Sequence, residues 1–167
     1  MKSFARKFVD WISCFILRLN GTRFGKAVEI INVRFLSLGN NAFIGNFVRI
    51  QASGSIKIKD NVYIGHNNYI FGKNIYIGND FMSGPNVCIM AGNHGLKLNA
   101  PINAQPTTNL GIRIGNDVWV GCNATILDGV VIGDHVVIGA GSVVTKSLPN
   151  FSICVGNPAH PISYRNK

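Results

Sequence analysis

Branched aliphatic residues return at every sixth position over most of this chain. Counting from Ile114 gives Ile114, Val120, Ile126, Ile132, Ile138 and Val144, and glycine directly follows four of them, as Gly115, Gly121, Gly133 and Gly139. The same step runs earlier through Leu38, Ile44 and Ile50. It resumes two residues late through Ile58, Ile64 and Ile70, and one more residue late through Ile77, Ser83 and Ile89. Such a fixed period decides architecture before any motif does. Six residues match neither the 3.6-residue turn of an amphipathic helix nor a hairpin meander, because each unit is too short to pair with its own neighbour. Each unit must therefore turn a corner. Three units carry the chain once round a triangular prism, and each strand then lies about 4.8 Å from the one three units earlier. The aliphatic side chains stack in columns inside, where β-branched residues suit a strand and burial supplies the main stabilisation. The glycine after each one falls near a corner, where a missing Cβ relieves the bend. The pattern predicts an all-β fold, a parallel β-helix over residues 25–163 with a tail at 164–167. Its hand does not follow from the period, since parallel crossovers are ordinarily right-handed.

Two stretches depart from the step. Near the start, Phe4, Phe8, Trp11, Phe15 and Leu19 recur at helical spacing among Lys2, Arg6, Lys7 and Arg18, which predicts a short N-terminal helix within residues 1–24. Its apolar run, FVDWISCFIL at 8–17, contains Asp10, is about half a membrane span long and lacks a small-residue cleavage site after it. It reads either as a helix docked on the domain or on a neighbouring subunit, or as a reversible contact with an anionic membrane face. The second break is MAGNHGLKLNAPINAQPTTNLGIR, which has two prolines and no strand period. It predicts a loop at about 93–111, thrown out from the prism, and a long loop on a regular scaffold is a favoured place for function.

Composition adds partners and compartment. Sixteen Lys and Arg against seven Asp and Glu give a formal charge of +9, which suits anionic ligands. The basic residues neither cluster nor interleave with aromatics, so no nucleic-acid partner is expected. Cys14, Cys88, Cys122 and Cys154 are widely spaced with no C-x-x-C pair, as in a reducing compartment, so the chain is expected to be cytoplasmic.

Residues 114–162, IGNDVWVGCNATILDGVVIGDHVVIGAGSVVTKSLPNFSICVGNPAHPI, closely resemble the hexapeptide-repeat acetyltransferases, and the resemblance extends over about 28–163. Departures lie in the first coils, where Gln51, Lys59 and Phe71 replace the usual glycine. The resemblance implies a left-handed coil, acetyl-CoA as cosubstrate, and a homotrimer with active sites between subunits. The loop ending PINAQPTTN and the short tail look most like polysaccharide-modifying O-acetyltransferases, which implies a sugar or glycan acceptor, as in bacterial surface polysaccharide synthesis; with the N-terminal helix on a membrane, the acceptor would be met at the inner face. An N-acetyltransferase on a nucleotide-linked amino sugar and a non-catalytic scaffold remain the alternatives.

Site residues follow from the same resemblance. His94 opens the loop where related enzymes carry their catalytic histidine, and its imidazole is the side chain in that segment able to act as a base at neutral pH. It would take a proton from an acceptor hydroxyl attacking the thioester. Backbone N–H groups at Gly121 and Cys122 are candidates to hold the oxyanion. Asp80 and Asp117 are candidates to orient His94. For the cofactor, the matching positions are Gly121, Cys122, Ala140, Thr145 and Lys146, with Arg165 as a further cation; Lys146 reads equally as a solvated lysine. Asn67, Asn68 and Asn86 are candidates for sugar hydroxyls, or corner residues of the fold itself. Trp119 is either an aromatic wall of the site or strand packing. Among the remaining histidines, His66 is the rival of His94. Carbonic anhydrases of this fold use three histidines on adjacent coils, a pattern that His66, His94, His135 and His160 do not match, so no metal is expected.

Overall fold

A computed structural model describes residues 21–166. The chain visits three parallel sheets in rotation and winds as a left-handed parallel β-helix. The first face carries Arg23–Phe24, Phe43–Ile44, Tyr63–Ile64, Met82–Ser83, Trp119–Val120, Val137–Ile138 and Ser152–Gly156. The second carries Glu29–Ile31, Arg49–Ala52, Tyr69–Gly72, Cys88–Ala91, Thr125–Leu127 and Val143–Val144. The third carries Leu36–Leu38, Ile56–Ile58, Ile75–Ile77, Ile112–Ile114 and Val131–Ile132, and Leu148 bridges to Ile132 beyond them.

The six-residue step is the interior. Ile44, Ile64, Ser83, Val120, Ile138 and Cys154 align on the first face, and Leu38, Ile58, Ile77, Ile114 and Ile132 on the third; all are buried. Each fully buried isoleucine contributes roughly 1.5–3 kcal/mol through apolar surface removed from water.

The corners use two devices where one was expected. Left-handed backbone falls mostly on asparagine and aspartate rather than on the glycine that follows the aliphatic residue: Asn41, Asn61, Asp80 and Asp117 on the edge between third and first faces, joined by His135 and Phe151, and Asn67, Asn86 and Asn123 on that between first and second, joined by Ala27 and Phe47. Short polar side chains tolerate positive φ by bonding locally. The glycines serve close approach between coils: a Cβ on Gly45 would stand 2.7 Å from the Gly65 carbonyl carbon of the next coil. A ladder of side-chain carbonyls ties these corners. The Asn40 N–H donates to Asp60 Oδ1 at 2.7 Å, Asp60 N–H to Asn79 at 3.1 Å, Asn79 N–H to Asn116 at 2.9 Å and Asn116 N–H to Asp134 at 2.6 Å.

The register slips gather on one edge. Ile50 to Ile58, Ile70 to Ile77 and Ile89 to Ile114 all cross from second face to third, so every extra residue of these coils widens the same corner. The helix expected in 1–24 lies mostly outside the described residues, as does the membrane contact assigned to it; Arg23–Phe24 is already the first rung, paired with Phe43–Ile44. At the other end, Ala159–Tyr164 turns back antiparallel on Ser152–Gly156 and covers the last parallel edge, one residue into the expected tail.

Candidate active site

The excursion after Ala91 is more ordered than a loop without strand period suggests. Asn93–His94 pairs antiparallel with Thr107–Thr108, and a short 3-10 turn spans Ile102–Ala104. Gln105 closes the tip: its Oε1 accepts the Lys97 N–H at 3.0 Å, and its Nε2 donates to the carbonyls of Lys97 at 2.7 Å and Ala100 at 2.8 Å. The base is clamped by Asp128 from the next coil. That carboxylate accepts Asn93 Nδ2 at 3.2 Å, the Leu110 N–H at 2.9 Å and the Gly111 N–H at 2.8 Å, joining the departing and returning strands. Asn109 donates from Nδ2 to the Ala91 carbonyl, while its Oδ1 is buried without a partner.

Between this hairpin and the prism lies a cavity of about 380 Å³, lined by Ser53, Phe71 and Lys73 on one side and by Asn93, His94, Thr107, Thr108 and Asn109 on the other. The His94 imidazole is exposed, and no described side chain hydrogen-bonds to it. Ser53 and Lys73 come from the two shorter insertions on the widened edge, so three successive coils build one recess.

The other sequence candidates divide between edges. Thr145 and Lys146 are exposed on the same edge as His94, on a later coil. Gly121, Cys122, Ala140, Asn67 and Asn86 lie on the edge between first and second faces, and Trp119, 50% exposed, stands on the first face itself. Within one chain, these do not meet His94.

Several of the candidates are engaged within the fold itself. Asn68 is 2% exposed and points inward, donating from Nδ2 to Ser83 Oγ at 2.7 Å and accepting the Val87 N–H, so it satisfies the polar member of the first-face column and cannot touch a sugar. Asn68→Ala should lower unfolding free energy by roughly 2–4 kcal/mol in urea titration, through two stranded buried groups and a small cavity, without moving acceptor KM. Asn67 and Asn86 hold left-handed corners with φ of 55° and 59°, and Asn86 Nδ2 donates to Asn123 Oδ1 at 3.1 Å. The Gly121 N–H already donates to the Ile138 carbonyl at 2.7 Å, so it is not a free oxyanion donor; the Cys122 N–H has no partner among the described residues.

Neither carboxylate suggested for His94 reaches it. Asp80 accepts Asn61 Nδ2 at 3.2 Å on the third–first edge. On the same edge, Asp117 Oδ2 accepts His135 Nδ1 and Arg165 Nη1, both at 2.9 Å. The His135 hydrogen bond, aided by the Arg165 charge, holds the Asp117 carboxyl below the usual carboxylate range. Arg165 is thus engaged in fastening the last strand. His66 Nδ1 accepts the Asn46 N–H at 2.8 Å, a rung of the corner ladder, which places its proton on Nε2. Among the described residues no three of His, Cys, Asp and Glu gather into a metal-binding group. Asp128 was missed, although its signal, an Asp-Gly pair one coil after the loop, is in the sequence.

Known proteins are similar to this chain in sequence and fold. A family model for the bacterial transferase hexapeptide (six repeats) matches residues 111–146. The galactoside O-acetyltransferase of Escherichia coli is 34% identical over 142 residues, 82% of this chain and 68% of that protein. The Escherichia coli protein named "Putative colanic acid biosynthesis acetyltransferase WcaF" is 32% identical over 157 residues, covering 90% and 74%. Against another relative, 46% identical over 88 residues, the chain spans 42% of the length. In fold, it resembles AntD, an N-acyltransferase from Bacillus cereus solved with dTDP-4-amino-4,6-dideoxyglucose and coenzyme A, with a TM-score of 0.76 and 23% identity over 86% of this chain and 81% of that one. The coil and these relatives agree: the chain belongs to the hexapeptide-repeat acetyltransferases.

Proposed function

We propose that the protein transfers the acetyl group of acetyl-CoA to a hydroxyl of a sugar in bacterial surface polysaccharide synthesis, with His94 as general base. The observation that carries this reading is the recess under the hairpin, where an unpartnered imidazole faces a space of sugar size bordered by hydroxyl and amide groups. His94 removes the acceptor proton as the oxygen attacks the thioester carbonyl. The tetrahedral oxyanion collapses with cleavage of the C–S bond, and the imidazolium returns the proton to the departing coenzyme A sulfur. The products are the sugar acetyl ester and free coenzyme A. Cys122 N–H is the proposed oxyanion donor. Thr145 and Lys146 would meet the phosphates of the cofactor, and Gly121, Cys122 and Ala140 would border its pantetheine arm.

Because His94 lies on one edge, and Trp119, Asn86, Cys122 and Ala140 lie on the first face and its border with the second, a cleft using both takes two copies. A homotrimer with three such clefts satisfies this. Supporting it, Tyr63, Met82 and Trp119 stand exposed in a column on the first face, and Leu96, Leu98 and Ile102 project from the hairpin, apolar surface suited to a neighbouring copy. Cytoplasmic residence at the inner membrane face belongs to the same proposal.

The test is thiol release from acetyl-CoA with a panel of sugars, followed by base treatment of the product. An alkali-labile ester supports O-transfer; an alkali-stable amide from amino sugars would favour the N-acetyltransferase reading instead, and no release with any acceptor would leave only a scaffold. Asp128→Ala should lower kcat/KM about ten- to hundredfold, because the strand carrying His94 loses its clamp and small misplacement of a base is costly. Thermal unfolding should shift only a few degrees, since the clamp lies outside the aliphatic columns.

A further inference from the structure

The recess beside His94 is bordered by an exposed lysine that acetyl transfer does not require. Lys73 lines it, and among the described residues its ammonium has neither an ion-pair nor a hydrogen-bond partner. None of the lining residues is acidic. The carboxylate that clamps the hairpin, Asp128, is occupied by Asn93 and two backbone N–H groups and does not line the space. The position of the lysine is built. Its stem crosses Gly54 of the preceding coil, where a Cβ would come within 2.7 Å of Lys73 Cβ and 3.4 Å of Cδ, so Gly54 leaves room for it. Both residues belong to the insertions that widen this edge. Phe71, two residues before Lys73, offers an apolar floor for the C–H face of a sugar ring, and Ser53 and Thr108 add hydroxyls on either side.

A lone cation in a recess free of acids attracts an anion and disfavours a second cation. We propose that Lys73 reads a negative group on the acceptor, so that the sugar acetylated at His94 carries a carboxylate or a phosphate close to the reacting hydroxyl. This rests on the sugar O-acetyltransferase reading of the same recess and specifies its substrate class. Lys73 is a specificity-determining residue: it touches the acceptor away from the reacting atoms.

The experiment measures binding apart from turnover. Galactose, galacturonate and galactose 1-phosphate are titrated calorimetrically into wild type, Lys73→Met, which keeps the stem over Gly54 but removes the charge, and Lys73→Arg. Wild type should bind at least one charged sugar about ten- to hundredfold more tightly than galactose, the size of a charge-assisted contact. That ratio should collapse towards one in Lys73→Met, survive in Lys73→Arg, and shrink with added salt. Preference for galacturonate assigns a uronate-type carboxylate; preference for galactose 1-phosphate assigns a phosphate. Equal affinity for charged and neutral sugars, a preference that persists in Lys73→Met, or no binding of either charged sugar overturns the proposal. Thiol release with the same sugars separates the two levels: a charged sugar that binds through Lys73 yet is never acetylated refutes the transferase reading and leaves the charge recognition standing, whereas efficient acetylation of neutral sugars does the reverse.

Discussion

His94→Ala should lower kcat/KM for acetyl transfer about a hundred- to ten-thousandfold, the range a positioned general base supplies. The protein itself should be unaltered, because the imidazole is exposed and no described side chain bonds to it. Its melting temperature should therefore match wild type within a few degrees, and added imidazole should restore part of the rate by entering the vacated end of the cavity. Two histidines provide contrast. His135 is stacked on Phe151 at 5.0 Å between ring centroids and bonded to Asp117, and His66 accepts a backbone N–H, so their replacement should weaken corners and act on stability. If His94→Ala turned over within about threefold of wild type while His66→Ala did not, the base would be misassigned.

How much of this was readable beforehand depends on what each signal reports. The columns were legible because interior positions admit almost nothing but Ile, Val and Leu, and three six-residue steps, from Ile114 to Ile132, make the rung spacing itself. Ser83 broke that column visibly, but its partner did not show: Asn68 sits in an interior position that Val48 and Val87 fill on adjacent coils, and only the stacking reveals that the two polar residues satisfy each other. The same limit hid the recess. In the sequence, the late restarts at Ile58 and Ile77 look like blurred coil boundaries. Once wound, they fall on a single edge with the long excursion, and place Ser53 and Lys73 against a hairpin that begins twenty residues further on. His94 was found because a motif flanks it; Asp128, Asn109 and Lys73 owe their positions to neighbours above and below, which a linear reading does not supply.

Gly72 is the point where this edge is least able to change. It has φ of +124°, a backbone conformation that other residues rarely adopt, and a Cβ built there would lie 2.0 Å from the Ala91 carbonyl oxygen and 2.9 Å from the Ala91 Cβ. Neither atom can swing aside, since Ala91 pairs with Gly72 in the second sheet and its carbonyl also accepts Asn109 Nδ2 at the foot of the hairpin. The Gly72 carbonyl in turn accepts the Ser53 N–H at 2.9 Å, so a shift is passed to the coil before. Backbone strain of about 1–3 kcal/mol adds to overpacking of similar size. Gly72→Ala should therefore cost about 3–5 kcal/mol in chemical denaturation, a large share of an ordinary domain's stability, and should depress turnover in whatever remains folded by displacing Ala91 and the strand that leads to His94. Gly141→Ala separates the two contributions: φ there is +71°, but nothing lies within 4 Å of the added methyl. It should cost only about 1 kcal/mol and leave the hairpin in place. Equal losses at the two glycines would mean that backbone conformation alone sets the cost, and that the close approach of coils at the widened edge is not what holds the hairpin's base.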